Sequence, residues 1–443
     1  MHRWPVLVAV VVVVVTLVRA TAVEGPATYR GGFGTANCDL YVSPSGSDSA
    51  SGQATSPFAT LGALDAALAP GQTGCLESGT YGGLNATHQL DKSGSPGAPI
   101  TITAAPGQTA TVVGFIDIEG SYTTLSGLNI DDSNDLNTST QPGTNCPHPI
   151  SNSLEINGHD DTFENNNYYQ SIPSLRSNGI GIGWNGQANN TIIRHNRIHD
   201  LGQCQAYDQM IYLSHGNNIQ VYDNWMWNDP HGWGVQIYPA ATNAHVYDNV
   251  IDGAGSGFVI GGSPQVSGNT IDHNIIINST GLPQAGLQQG VAVSTCCGLG
   301  PGNSFTNNIS YNNPGGIANT SGITLSQNTT TNPNLANPTD HDYRTTTDAL
   351  ATWGLWNGND PVATIAARYA HTPTHATHYK RRHRRRHTRA HVKRRHDGRE
   401  PDHHGEPDHH GERRTTRHHR RAASRHHRHH VRTSGAGSHR HRL

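Results

Sequence analysis

Between residues 23 and 370 the chain has a single lysine, Lys92. Positive charge is scarce in this body and gathers at the C-terminal end. Residues 371–443 hold 21 of the 30 Lys and Arg but only six of the 32 Asp and Glu, a net of +15 against −17 for residues 1–370. A body so short of cations repels anionic polymers unless a divalent cation such as Ca2+ bridges the two. Long apolar runs are also missing. The longest, Val6 to Val18, is too short to span a bilayer comfortably, which argues against a membrane anchor. With His2 and Arg3 before it and Ala20-Thr21-Ala22 after it, this run predicts a secretory signal peptide over residues 1–22. Helical periodicity occurs once, at Phe58, Leu61, Leu64 and Leu68, after Ser56-Pro57 and before Pro70-Gly71.

What fills the body is a repeat. An asparagine returns every 25 to 34 residues in one apolar frame: Phe163–Asn166–Tyr168, Ile193–Asn196–Ile198, Val221–Asn224–Met226, Val246–Asn249–Ile251, Ile271–Asn274–Ile276 and Phe305–Asn308–Ser310. Short strands repeating at this length without helices predict one turn of a solenoid per repeat. The amide lets each Asn bond the Asn above and below, and Asn tolerates a left-handed turn conformation.

A second strand precedes each frame: Gly179–Ile182, Met210–Leu213, Gly234–Ile237, Gly257–Ile260 and Gly290–Val293. Alternation turns Ile180/Ile182, Ile211/Leu213, Val235/Ile237, Phe258/Ile260 and Val291/Val293 inward. It turns Gly181, Tyr212, Gln236, Val259 and Ala292 toward solvent. Over residues 41–345 the sequence resembles the right-handed parallel β-helix proteins of the pectate-lyase-like superfamily. That resemblance implies an all-β, right-handed parallel β-helix (a solenoid) with an N-terminal capping helix and a disordered C-terminal tail. It implies carbohydrate-active chemistry without choosing among lyase, epimerase, hydrolase and binding protein.

The expected layout is a strand and capping helix over 23–85, coils over 86–333, a closing segment with Trp353 and Trp356 over 334–370, and a tail over 371–443. Six cysteines in an exported chain suggest three disulfides. Cys38 with Cys75 and Cys146 with Cys204 are the expected pairs, leaving Cys296-Cys297 as a vicinal bridge or a reactive thiol pair.

The outward strand face is where members of the superfamily usually bind glycan. Arg176, Trp184, Tyr212, Trp233, Gln236 and Tyr238 are the candidate substrate contacts, since aromatic rings stack on sugar C–H surfaces and polar groups bond hydroxyls. Asp208, His215, Asp229 and His231 are the candidates for proton transfer. Asp229-Pro230-His231 resembles the Asp-Pro-His motif of mannuronan epimerases, though Gly232 stands where those enzymes have an acid. A proline turn capped by Asp229 is the alternative. Lyases and epimerases of uronic acids usually employ Lys or Arg, and the Gly-His-Gly motif of β-helix polygalacturonases is absent from the coils. Asp208 and Asp229 on successive coils keep a neutral-glycan hydrolase open. Asp131, Asp132 and Asp135 are the candidate Ca2+ ligands, with a solvated loop as the alternative.

From His371 the chain is rich in His and Arg and almost without apolar residues, which predicts disorder. Binding to an anionic cell-wall polymer, loose metal binding and an extension without function are its three readings. The chain is thus expected to be a secreted monomer, extracellular or cell-wall associated, that acts on or binds extracellular polysaccharide without engaging nucleic acid. A non-catalytic glycan-binding or wall-associated protein is the alternative.

Overall fold

The structure is a computed structural model that describes residues 37–345 except 134–153, 173–178, 186–187, 202–207 and 320. The expected signal peptide, the Cys146–Cys204 pair, Trp353, Trp356 and the tail all lie outside the described residues. Parallel strands stack into three faces. Sheet 1 runs from Leu40–Val42 to Thr324–Ser326 and holds the strands just before each frame Asn. Sheet 2 holds the strands just after it, from Asn129–Asp131 to Ile309–Tyr311, and sheet 3 holds the facing strands, from Leu154–Ile156 to Ala318–Asn319. Sheets 2 and 3 share one N-terminal strand, Ala110–Ile118. Its first half pairs with Asn129–Asp131 and its second half with Leu154–Ile156, so a single strand divides the stack.

Registers put like on like. Ile116, Leu154, Ile180, Ile211, Val235, Phe258 and Val293 form one inward column of sheet 3. Leu125, Phe163, Ile193, Val221, Val246, Ile271 and Phe305 form that of sheet 1. All of these are fully or almost fully buried. Each such side chain contributes roughly 1.5–3 kcal/mol when removed from water, and it does so only because the next coil covers it.

The frame asparagines form a buried ladder, joined by Asn328 as a seventh rung. Asn249 shows the pattern. Its side-chain amide donates to Asn274 Oδ1 at 3.0 Å, to the Val221 carbonyl at 2.9 Å and to the Tyr247 carbonyl at 2.9 Å. Its own Oδ1 accepts from the backbone and side-chain nitrogens of Asn224. The ladder Asn is not itself left-handed, contrary to expectation. The residue before it is: Asn165, His195, Asp223, Asp248, His273, Asn307 and Gln327 have φ of 54–57°. That residue makes the bend, and the Asn is freed to face inward.

The helix covers the N-terminal end of the stack but starts later than its sequence pattern suggests. It spans Leu61–Ala67, with Thr60 as N-cap accepting from the Ala63 N–H at 3.2 Å. Phe58 is held as a bridge to Val42, donating its N–H to Tyr41 and accepting from Ser43, so the chain cannot coil there. Leu64 packs where a Cβ at Gly74 would stand, 2.8 Å from Leu64 Cδ2. Cys38 and Cys75 are disulfide-bonded as expected, tying the first strand to the second. At the other end Tyr343 and Leu335 lie over Trp225, Trp227, Val250, Ile275 and Ile309, covering the outside of sheet 2.

Asn249→Ala removes the donors and the acceptor of a middle rung and leaves buried carbonyls unpaired. Loss of about 3 kcal/mol in a urea unfolding series is expected, since each orphaned buried group costs ~1–3 kcal/mol.

Candidate functional site on the outer face of sheet 3

The outward column of sheet 3 reads Gln89, Asp117, Glu155, Gly181, Tyr212, Gln236, Val259 and Ser294 by register. Ser294, not Ala292, stands beside Val259, because the strand that pairs there is Val293–Leu299. The face is less open than alternation suggests: Tyr212 is 8% and Val259 5% exposed. Leu282, Leu287 and Val291 fold back over Trp233 and Val259 and close the C-terminal part of the face.

What remains accessible lies further toward the N-terminus. Trp184 is 43% exposed and meets Tyr212 edge-on at 5.1 Å between ring centroids. Asn185, exposed beside it, donates to Glu155 Oε2 at 3.1 Å. Here the strands carry acids that pattern reading had passed over. The Asn157 side-chain amide donates to Asp117 Oδ1 at 3.3 Å, Glu119 Oε1 at 3.0 Å and Glu155 Oε2 at 3.4 Å. No two of those oxygens can be further apart than twice the longest contact. Burial raises the pKa of Asp117, the nearby Asp91 adds to the rise, and bonds from Gln89 and Asn157 oppose it. Glu155 is nearly buried, Asp117 half-buried and Glu119 exposed. The signal was present in the sequence: Ile116/Ile118 and Leu154/Ile156 point inward, so Asp117 and Glu155 must point out.

The model of the Pel9A-like right-handed β-helix region matches residues 40–220. No curated protein matches the chain in sequence. Among solved structures, the chain is similar to pectate lyase Pel9A at 16% identity and a TM-score of 0.49, covering 69% of this chain and 85% of that one. It is similar to a GH136 lacto-N-biosidase from Eubacterium ramulus at 14% identity and a TM-score of 0.45, covering 65% and 63%. It also resembles an alginate lyase from Paenibacillus sp. at 15% identity and a TM-score of 0.35, covering 61% and 97%.

In this β-helix the other sequence candidates fall in several places. Asp208 and Asp229 do come together, but both are 0% exposed. Asp229 follows left-handed Asn228 just as Leu201 follows Asp200 and Ala254 follows Gly253. It therefore occupies an interior corner of its coil, where its equivalents belong to the apolar core. Burial first, and the neighbouring Asp208 second, push its pKa well above the carboxylate range, against a bond from the Gly232 N–H. A Cβ at Gly232 would stand 1.5 Å from the Asp208 carbonyl and 2.6 Å from Asp229 Oδ1. No acid fits at 232, which accounts for the departure from the epimerase motif.

His215 and His231 are half-buried, and His215 Nδ1 shares a 2.9 Å bond with Ser214 Oγ. Trp233 lies under the covering segment. Gln236 accepts from Gln209 Nε2 at 2.7 Å, and Tyr238 is half-buried near Cys296. Arg176 and Asp135 lie outside the described residues. Asp131 and Asp132 are buried, not in a solvated loop, and Asp131 Oδ1 already accepts from the Ser133 and Ser171 amides at 3.0 Å each. Among the described residues no three His, Cys, Asp or Glu gather as a metal would require.

Asp161 is another buried acid, raised to about 8 by burial, with the Thr123 N–H bond opposing. An acid with a raised folded pKa keeps a proton that the unfolded chain has lost. Stability therefore falls as pH climbs from the unfolded value of 3.8 to about 8. Asp161→Asn and Asp229→Asn should each flatten this decline relative to the parent when urea midpoints are compared at pH 5 and pH 8. An unchanged difference between the two pH values would remove these acids from the account.

Proposed function

We propose that this β-helix is a secreted carbohydrate-active protein that takes extracellular polysaccharide on the outer face of sheet 3. One observation carries the reading: an exposed Trp184 braced by Tyr212 stands next to an exposed Asn185 that is bonded into the Asp117–Glu119–Glu155 cluster. Ring faces, an amide and carboxylates side by side are the groups a sugar chain needs for stacking and for bonding its hydroxyls.

Glycoside hydrolysis suits this face better than β-elimination. Among the described residues its register column, from Gln89 to Ser294, holds no Lys or Arg to serve as base or charge neutraliser. Asp117, held protonated more readily than a free Asp, suits a general acid, and the exposed Glu119 suits its partner. Their shared contact with one amide keeps the two bonded oxygens below the ~6.5–9.5 Å spacing of inverting enzymes, which favours the retaining outcome. A face lined with carboxylates also favours a neutral glycan over a polyuronate. Complete burial of Asp208 and Asp229 favours a second reading, non-catalytic glycan binding, in which both acids serve only the fold.

A panel of neutral and acidic polysaccharides, read for reducing ends and for unsaturated product together, tests the reading. Reducing ends alone from a neutral glycan are expected; unsaturated product would replace hydrolysis with elimination. Trp184→Ala should weaken glycan binding about tenfold, ~1.4 kcal/mol, with the unfolding midpoint unchanged. Equal binding by parent and variant would remove Trp184 from the surface.

A further inference from the structure

Two adjacent thiols stand near the end of the last long strand of sheet 3. Cys296 is half-buried, Cys297 is exposed, and both are free. Cys296 is the register partner of Gly261. A Cβ at Gly261 would come within 3.0 Å of Cys296 Sγ, and one at Gly262 within 2.4 Å of Tyr238 Cδ2. Two consecutive glycines thus seat a thiol and a phenol ring on neighbouring ground. Cys296 also packs against the apolar group that holds Leu282, Leu287 and Val291 over the face. Cys297 has φ 59°, a left-handed conformation that side chains with a Cβ seldom adopt and that marks stored strain.

The exposed thiol and the sheltered one have different reactivity. Burial, with Cys297 next, pushes Cys296 up to about 12, so it is a poor first nucleophile. Cys297 has solvent access, and Cys296 lies within reach to resolve any adduct formed on it.

We propose that Cys296 and Cys297 form a dithiol modification site that a small disulfide such as glutathione disulfide oxidises to a vicinal disulfide. Cys297, as thiolate, attacks one sulfur of the small disulfide and releases one small thiolate. Cys296 gives its proton to solvent and attacks Cys297 Sγ, and the second small thiol leaves. Two protein thiols are oxidised by two electrons and one disulfide is reduced to two thiols. Ring closure draws Cys296 Sγ off its seat at Gly261, beside Tyr238 and beneath the covering segment. The site stands without the glycan reading, because its first readout is chemical.

The full chain is incubated with glutathione disulfide, alkylated without reductant, digested and mapped. The expected result is a Cys296-Cys297 peptide lighter by two hydrogens and carrying no alkyl group, with both alkylation sites restored by dithiothreitol. Cys296→Ser should instead trap a stable glutathione adduct at Cys297. Two free thiols after exposure, a persistent glutathione adduct in the parent, or a bridge from either residue to another cysteine would overturn the proposal.

Discussion

The structure depends on the stacking of one coil on the next through the buried asparagine column. No coil can satisfy itself: its inward Ile, Val or Phe is covered only by neighbours, and so is the amide of its Asn. Each rung bonds the rung above through backbone and side chain and reaches back to a carbonyl of the coil below. Directional bonds fix the register, and fixed register aligns the apolar columns. The bend is delegated to the preceding residue, whose left-handed φ tolerates Asp, His, Asn or Gln.

The same stacking distributes the outer surfaces. Sheet 2 is covered by the returning segment around Tyr343, and the C-terminal part of sheet 3 by the segment around Leu287. Sheet 1 is occupied by its own pairs, such as Arg194 with Glu164 and Tyr222 stacked on Tyr247 at 4.8 Å. The stretch from Asp117 to Tyr212 is left with exposed aromatic and polar groups together. Position along a rigid stack, more than any single motif, selects this stretch as the proposed glycan surface.

Much of this was legible in the sequence. Alternation found the inward pairs of sheet 3 from Ile180/Ile182 to Phe258/Ile260, and the spacing of the asparagines found the ladder. The errors have physical causes. Phe58 fits a helical stripe by spacing, yet its backbone is engaged by Tyr41 and Ser43. Asp229 looks like a surface residue beside a proline, but the left-handed Asn228 before it turns its side chain inward. Of the residues that close the face, Leu282 and Leu287 follow no strand or helix period and so gave no signal, while Val291, expected inward beside Val293, precedes the strand and joins them over the face. The acid cluster was missed because its residues sit far apart in sequence, from Asp117 to Asn185, and only the register brings them to one amide.

The central claim is that polysaccharide lies on the outer face of sheet 3 between Asp117 and Tyr212. Hydrogen exchange of the full chain with and without a glycan from the panel that binds it tests this most directly. The account predicts added protection in peptides covering 115–119, 154–157, 180–185 and 208–215, with sheet 1 and sheet 2 peptides unchanged. Protection confined to sheet 1 or sheet 2 would contradict it.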